Sequence, residues 1–377
     1  MIISGRILVL VVALATTGVI TACHTVANHH QVEPNRPIPS ASNPSDCRTI
    51  PHELGETEVC GQPQKIAVLG PFVLEPLLAL EIQPVAFADH MVWHEGRYDN
   101  PSRQIPYLGK YVTNQLVNLG LAWQPSIETL LRVKPDLILG TYFNNANEYE
   151  TLSELAPTLV FKWDDSATNL RAIAQAVGYP EKAEQLLTDM SQRVVDGRNA
   201  FAAFVAKHPN VLLFSTDSRL QSIYMGTSAH GLCSSLLIDL GFNLVSLTGL
   251  RDNQSGVPVP ISLEAITQVN DADAIILLGS DDKKSPDMNN FSDHQLMALR
   301  QTWEKNAIAQ SLNVSQAGQV YFIPAHLCLG LPGSIGTELY LAELKQQLGT
   351  CGKTKYQSSW DNGDIPFGQG WRTSPEG

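Results

Sequence analysis

Aromatic and cationic side chains crowd one irregular stretch of the chain, over residues 90–109. The residues concerned are Trp93, His94, Arg97, Tyr98 and Arg103. Ring faces and charged donors of this kind contact ligands, and proteins place them on loops held by a rigid scaffold. The stretch is therefore predicted to be a ligand-binding loop, and the elements on either side must form the scaffold.

The first 22 residues indicate a targeting segment. Arg6 precedes an apolar run from Ile7 to Leu14, and small residues then lead to Cys23. This order resembles a bacterial lipoprotein signal, with Cys23 as the lipidated N-terminus. A plain secretory signal and a transmembrane anchor are the alternatives, although the run is short for a membrane span. The mature protein is expected outside the cytoplasm and anchored to a membrane by acyl chains.

The composition limits which class of protein this can be and which partners it can bind. Of the 377 residues, 44% are hydrophobic and 16% charged, which is typical of a globular protein, and the length allows two domains. The net charge of −12 and the lack of clustered Lys and Arg argue against nucleic acid as a partner.

Motifs of catalytic machinery are missing from the sequence. No G-x-S-x-G elbow occurs, and Gly333-Ser334-Ile335-Gly336 has the wrong spacing. The chain also has no P-loop and no G-x-G-x-x-G after a strand. We therefore expect a protein that is not an enzyme, with an extracytoplasmic hydrolase as the least favoured alternative.

A long helix is predicted from Pro180 to His208. Its apolar residues recur at steps of three, four and seven, Pro180 can begin a helix, and Pro209 would stop it. Gly197, in the middle, suggests close packing or a slight bend. A helix of this length could join two domains.

The pattern on both sides of this helix alternates short buried strands with helices. In the first half, strands are predicted at 65–70, 85–88, 137–139 and 158–161. In the second half, strands at 211–214 and 319–323 are predicted with helices at 232–240 and 336–348, and Trp303 is expected to open another helix. Such alternation predicts parallel sheets covered on both faces.

Two segments share one plan. Residues 125–140 and 261–279 each contain a turn with proline, a helix with one Glu in its first turn, an Asp, a buried strand and a Gly. The predicted fold class is α/β, with two doubly wound lobes joined by a single long helix and a ligand cleft between them. The boundaries are a signal peptide at 1–22, a flexible tether at 23–46, an N-terminal lobe at 47–165, a helical linker at 166–209, a C-terminal lobe at 210–351 and a loosely ordered tail at 352–377.

Five cysteines remain after Cys23. Cys47 and Cys60 are separated by a short polar, hairpin-like stretch and are the expected disulfide pair. The pairing of Cys233, Cys328 and Cys351 cannot be deduced from their spacing.

Several stretches resemble the class III extracytoplasmic substrate-binding proteins of ABC importers, specifically the ferric-siderophore branch with its cyanobacterial lipoproteins. They are P-S-I-E-T-L-L-R-V-K-P-D-L-I-L at 125–139, Y-E-T-L-S-E-L-A-P-T-L-V at 149–160, and the long helix. The resemblance covers residues 47–348. It implies a receptor that captures a ferric siderophore and delivers it to an importer, with no cofactor and no directly bound metal ion of its own.

The resemblance also implies roles for particular residues. Glu128 and Glu264 would dock with arginines of the permease dimer. Without the resemblance, each Glu could simply complement the dipole of its helix. A chelate rich in oxygen would need aromatic walls and Arg donors. The candidates for ligand contact are Trp93, Arg97, Tyr98, Trp123, Tyr142 and Trp163 in the N-terminal lobe, and Arg219, Tyr224, Arg251, Trp303 and His326 in the C-terminal lobe.

Two other cargos fit the same fold. Haem would need an axial ligand such as His94, His230 or His326, and cobalamin is the other alternative. A free divalent metal is disfavoured because the sequence has no His-rich loop and no compact set of His, Asp and Glu ligands.

Overall fold

The structure of the chain is a computed structural model that describes residues 46–163, 165–227, 230–247, 259–268, 272–281, 283 and 288–349. These residues all belong to one compact unit. The predicted signal segment, Cys23, the tether, Arg251, Cys351 and the tail lie outside the described residues. Within the described ranges, no helix is both long enough and apolar enough to cross a membrane.

The N-terminal lobe is a six-stranded sheet preceded by a hairpin. The hairpin pairs β1 (Cys47–His52) with β2 (Gly55–Cys60). The other elements are β3 (Ile66–Leu69), α1 (Pro71–Ala79), β4 (Ala86–Asp89), β5 (Val117–Leu121), β6 (Gln124–Pro125), α2 (Ile127–Val133), β7 (Leu137–Thr141), α3 (Tyr142–Asn145), α4 (Tyr149–Leu155), β8 (Thr158–Phe161) and α5 (Ser166–Val177). The sheet order is β6-β5-β4-β3-β7-β8, and only the β5–β6 pair is antiparallel.

The predicted connecting helix is α6 (Pro180–Val205), which has 26 residues and a length of about 39 Å. It begins at the predicted residue but ends at Val205 instead of His208. The amides of Lys207 and His208 both donate to the carbonyl of Phe204, so the chain turns tightly before Pro209.

The C-terminal lobe repeats the α/β plan. Its elements are β9 (Asn210–Asp217), β10 (Ile223–Met225), α7 (Leu232–Asp239), β11 (Asn243–Leu244), β12 (Val259–Ile261), α8 (Leu263–Ile266), β13 (Ala274–Ser280), α9 (Phe291–Lys305), α10 (Ala307–Ser311), α11 (Asn313–Gln316), β14 (Val320–Pro324) and α12 (Ser334–Leu348). The sheet order is β12-β10-β9-β13-β14, with β11 also paired to β9. The pairs of β10 are antiparallel and the others parallel.

Continuous apolar strands explain these sheets. Every residue of β3 and β7 is buried, as are the first six residues of β13. A strand that is apolar on both faces needs cover on both faces, which the helices provide. The prediction of two α/β lobes joined by a long helix is confirmed. The prediction for Trp303 is wrong, because α9 begins at Phe291 and Trp303 lies near its end.

Helix α12 adds a second connection between the lobes. Although it follows the last strand of the C-terminal lobe, Leu331 and Ile335 at its start pack into the hydrophobic core of the N-terminal lobe. Along α6, a Cβ on Gly197 would lie 2.9 Å from a methyl group of Leu341 and 3.0 Å from one of Leu240. Close packing therefore accounts for this glycine, and helices α1, α5, α6 and α12 form a continuous helical layer.

The two repeated segments have the same local hydrogen bonding. The Asp136 carboxylate, just before β7, accepts from the amides of Gln64 and Lys65 at 2.8 Å each. Asp273, just before β13, accepts from the amide of Asn210 at 2.8 Å. In each lobe, an aspartate thus fastens the start of the neighbouring central strand.

Candidate functional site

Side chains that follow strand ends in the two lobes meet in one aromatic group, the lobe-facing cluster. Its members are His90, Trp93 and Tyr107 from the N-terminal lobe and Phe291 and His326 from the C-terminal lobe. The imidazoles of His90 and His326 stack with ring centres 4.9 Å apart, and the ring of Tyr107 also stacks with that of His326, at 5.5 Å. Phe291 meets Trp93 edge to face at 5.1 Å.

Polar contacts fix the ring orientations in this cluster. His90 Nδ1 lies 2.7 Å from a carboxylate oxygen of Asp89, at the end of β4. The hydroxyl groups of Tyr107 and Ser292 lie 2.8 Å apart, so a hydrogen bond joins the lobes. Burial, and secondarily the nearby His90, lowers the pKa of His326 well below its ordinary value. The His326 imidazole is therefore neutral at pH 7 and can accept a hydrogen bond or act as a ligand.

Two buried polar atoms beside the cluster have no hydrogen-bond partner among the described residues. They are the second carboxylate oxygen of Asp89 and the indole nitrogen of Trp93. An unsatisfied buried polar group costs about 1–3 kcal/mol. These atoms can gain partners if the lobes separate and a ligand or water enters.

An exposed aromatic rim lies on the N-terminal lobe. Trp123 is 44% exposed, Tyr142 47% and Phe143 89%. The buried Asn145 side chain connects their two loops, because its amide donates to the carbonyl of Ala122 at 2.7 Å and its oxygen accepts from the amide of Thr141 at 3.0 Å. Phe143 and Asn145 were missed from the sequence; the run Tyr142-Phe143 directly after a buried strand was the available signal.

The C-terminal lobe contributes fewer exposed candidates. Tyr224 is 38% exposed. Arg219 is exposed, with its guanidinium 3.8 Å from the carboxylate of Asp217. The indole ring of Trp163, from the N-terminal lobe, packs against Gly231 of the C-terminal lobe. A Cβ on Gly231 would lie 2.6 Å from that ring, and the φ angle of Gly231 is +55°. This close approach and the positive φ both require glycine at position 231.

Three predicted ligand contacts lie in the protein interior. Tyr98 is 1% exposed, Trp303 3% and Trp93 5%. Trp303 packs against Phe214 and Phe322 in the C-terminal core, and Tyr98 packs against Phe87. The rings of Tyr98 and Trp303 are covered by neighbouring elements, as large aromatic side chains usually are, so their role as ligand contacts stays a prediction without support from exposure. Trp93 is different because it belongs to the lobe-facing cluster.

Arg97 points to another part of the N-terminal lobe. It lines an open groove of about 770 Å³ formed by the loop after β4, by β5 and by α2. None of the residues that line this groove comes from the C-terminal lobe. Arg97 therefore does not face the lobe interface.

The histidines proposed for haem occupy three different surroundings. His94 Nε2 lies 2.9 Å from the carbonyl of Arg97. His230 is buried, and desolvation lowers its pKa to about 4. His326 belongs to the lobe-facing cluster. Among the described residues, the one group of three potential ligand atoms compact enough for a metal ion is Cys47, Glu58 and Cys60, and its cysteines are joined in a disulfide.

Two disulfides hold the described chain. Cys47 is joined to Cys60 across the hairpin, as predicted. Cys233 on α7 is joined to Cys328, which lies in the turn after β14. Both sulfur atoms of this second pair are buried, and the bond fixes the segments that carry His230 and His326 to one another.

The two glutamates singled out in the repeated segments have matching surroundings. Glu128 follows N-cap Ser126, whose hydroxyl accepts from the amide of Thr129 at 3.2 Å. Glu264 follows N-cap Ser262, whose hydroxyl accepts from the amide of Ala265 at 3.3 Å. Hydrogen bonds, first to its own backbone amide and then to Ser262, lower the pKa of Glu264. Both carboxylates are exposed on the surface.

A third glutamate connects the lobes from inside. Glu75 on α1 is 0% exposed. Its carboxylate accepts from the amides of Gly333 at 2.6 Å and Gly336 at 2.8 Å, at the N-terminus of α12. Burial raises its pKa to about 7, and the hydrogen bonds from these amides oppose that rise. Nothing in the local sequence of Glu75 predicts this contact, because the partner lies 258 residues away.

Comparisons with known proteins agree on one family. A family model described as periplasmic binding protein matches residues 66–327. YfiY of Bacillus subtilis, a probable siderophore-binding lipoprotein, is 30% identical over 247 residues, which are 63% of this chain and 67% of that protein. The Fe(3+)-citrate-binding protein YfmC of Bacillus subtilis is 24% identical over 286 residues, 74% of this chain and 79% of that protein.

A solved structure has the same fold. The crystal structure of Staphylococcus aureus SirA complexed with staphyloferrin B superposes with a TM-score of 0.63 and 21% identity. The match covers 80% of this chain and 98% of SirA.

Proposed function

The chain belongs to the periplasmic binding protein family, and on that premise we propose that it is an extracytoplasmic receptor that binds a ferric siderophore and delivers it to an ABC importer. The observation that carries this proposal is the lobe-facing cluster. Side chains that follow strand ends in both lobes meet there, which is where open α/β sheets bind ligands. The iron-chelate class is supported by the similarity to YfiY, a probable siderophore-binding lipoprotein, and to YfmC, an Fe(3+)-citrate-binding protein.

The ligand contacts follow from exposure and position. Aromatic walls would come from Trp123, Tyr142 and Phe143 on one lobe and Tyr224 on the other. Arg219 and the neutral His326 would supply polar contacts from the C-terminal lobe. Arg251 lies outside the described residues and remains a candidate on its sequence position alone.

Delivery requires contact with a membrane complex. Glu128 and Glu264 would each pair with a cation of one permease subunit, since they occupy equivalent places in the two lobes. Cys23 would carry the acyl chains that hold the receptor at the membrane. The chain would act by binding and release, without catalysis.

Binding is tested by titrating the intrinsic Trp fluorescence of the mature protein with a ferric tris-catecholate, a ferric tris-hydroxamate and ferric citrate. We expect a dissociation constant in the micromolar range or tighter for one class. The variants Trp123→Ala and Tyr142→Ala should weaken that binding. Ile238→Ala removes an exposed apolar side chain outside the rim, 45% exposed, and serves as the control.

The alternative cargos give different signals in the same experiment. Haem binding would shift and sharpen the Soret absorbance band of added haemin, and cobalamin, added in place of the iron chelates, would quench Trp fluorescence in a saturable titration. If either binds at micromolar concentration while all three iron chelates fail, the ferric-siderophore proposal is wrong.

A further inference from the structure

The groove on the N-terminal lobe is a surface with its own chemistry. Its volume of about 770 Å³ is comparable with that of many ligand sites, yet it is open and lined by the N-terminal lobe alone. A cargo bound there would not be held between the two lobes. The groove therefore suits a partner that approaches this lobe from outside.

Two guanidinium groups line the groove without an ionic partner. The Arg97 guanidinium makes no hydrogen bond or ion pair with the described residues, and that of Arg132 donates only to the hydroxyl of Thr129, at 3.0 Å. In a chain with a net charge of −12, two cations that line one groove, with Glu95 as its one acidic lining residue, favour an acidic group from a partner.

The helix that carries Glu128, α2, contributes to the same groove. Ser126 and Thr129, which flank Glu128 in sequence, both line it. Glu128 and Arg132 are four residues apart on α2, a spacing that allows a helix ion pair. No ion pair joins them among the described residues, so each is available to another molecule.

Apolar side chains complete the surface. Val92, Val117 and Val133 line the groove, and Val92 is 51% exposed. Also on α2, Leu131 is 55% exposed and lies three residues after Glu128. An acidic residue within an apolar segment would fill the groove and pair with the arginines at once.

We propose that this groove receives an extracytoplasmic segment of the permease in which a carboxylate side chain is flanked by apolar residues. The carboxylate pairs with Arg97 and Arg132, while Glu128 pairs with a cation of the same permease subunit. The inference rests on the proposed function, because it assumes that an importer is the partner of the Glu128 face. It adds that docking on this lobe uses charges of both signs.

The test measures the affinity of the mature protein, as wild type and as Arg97→Glu and Arg132→Glu variants, for the importer reconstituted in nanodiscs. The importer is the complex whose uptake of the ferric chelate into proteoliposomes requires this protein. The control is Arg103→Glu, which makes the same charge change at an exposed position outside the groove. Binding of the ferric chelate is measured on the same samples by Trp fluorescence.

We expect both groove variants to bind the importer at least about tenfold more weakly than Arg103→Glu, with unchanged chelate binding. Importer affinities equal to that of the control would overturn the proposal. Weaker chelate binding with normal importer affinity would also overturn it, and would make the groove a chelate site. If the wild type binds chelate but no importer, docking as a whole is wrong; if it binds no chelate, the receptor function itself fails.

Discussion

Glu128 and Glu264 are each the second residue of a helix whose N-cap serine follows the antiparallel edge strand of its sheet. The two lobes therefore present one carboxylate each from the same local structure. A partner with two similar halves can bind both, which an unrelated pair of surface glutamates would not allow.

This relationship predicts the effect of neutralising either residue. Glu128→Gln and Glu264→Gln should each weaken importer binding about tenfold or more and leave chelate binding unchanged, because neither residue belongs to the lobe-facing cluster or to the aromatic rim. Surface plasmon resonance on importer nanodiscs gives the affinities. Glu150→Gln is the control, since Glu150 is also an exposed first-turn glutamate, on α4. Equal affinities for all three variants would contradict the docking role.

Asn145 is predicted to set the shape of the aromatic rim. Asn145→Ala removes both hydrogen bonds that join the loop of Trp123 to the turn of Tyr142, and it leaves a cavity beside Gly140. We expect a loss of about 2–3 kcal/mol in the free energy of unfolding and weaker chelate binding. Urea unfolding and Trp fluorescence measure the two effects. The exposed Asn147→Ala is the control, and normal chelate affinity in Asn145→Ala would show that the rim does not contact the chelate.

Glu75 is predicted to make stability fall as pH rises. Its pKa is about 7 in the folded protein, against an ordinary value of 4.5, so the folded state binds more protons than the unfolded state between these values. The free energy of unfolding should therefore decrease from pH 4.5 to pH 7, by about 3 kcal/mol in total for this group. Above about pH 8, where the carboxyl is ionised in both states, its contribution should no longer change.

The Glu75→Gln variant isolates that effect, because Gln cannot ionise and has a similar shape. The difference in unfolding free energy between wild type and variant, followed by urea titration from pH 4.5 to 8, should move in favour of the variant as pH rises. Glu338→Gln, which alters an exposed ion pair with Arg193, should leave the pH profile unchanged. A constant difference across this range would contradict the raised pKa.

The two disulfides should contribute unequally to stability. They close loops with sequence separations of 95 for Cys233–Cys328 and 13 for Cys47–Cys60. Loop-closure entropy then favours the longer loop by about 2 kcal/mol. Thermal unfolding of the two double Cys→Ala variants compares them, and a larger loss for the Cys47–Cys60 pair would show that the longer loop retains structure when unfolded.

The sequence was sufficient for features with local signals. Buried strands, the long helix and the repeated segments follow from apolar periodicity and from capping residues such as Ser126 and Ser262. The hairpin cysteines were also predictable because their two strands are adjacent along the chain.

Features that depend on distant contacts were not predictable. Glu75 and the amides of α12 are far apart in sequence, and so are Cys233 and Cys328. The start of α9 was missed because the polar residues from Ser292 to Gln295 interrupt the apolar periodicity in the sequence. In the structure, Phe291, Leu296 and Leu299 of this helix are buried. Aromatic residues such as Tyr98 and Trp303 have the same sequence signal whether they face a ligand or a core, so only packing separates them.

The helical layer of α1, α5, α6 and α12 has a mechanical consequence. Because the lobes are fastened there by covalent linkage and by Glu75, we expect closure on cargo to be a slight tilt. Strand β3 contacts that layer, and edge strand β6 lies three strands away from β3 in the sheet. The distance from β3 to β6, about 14 Å, is the lever arm of the tilt. A rotation of about 5° then moves Glu128 by roughly 1 Å. If Glu128 and Glu264 dock as proposed, the distance between their carboxylates would differ between the loaded and the empty receptor, and an importer could distinguish the two by that distance.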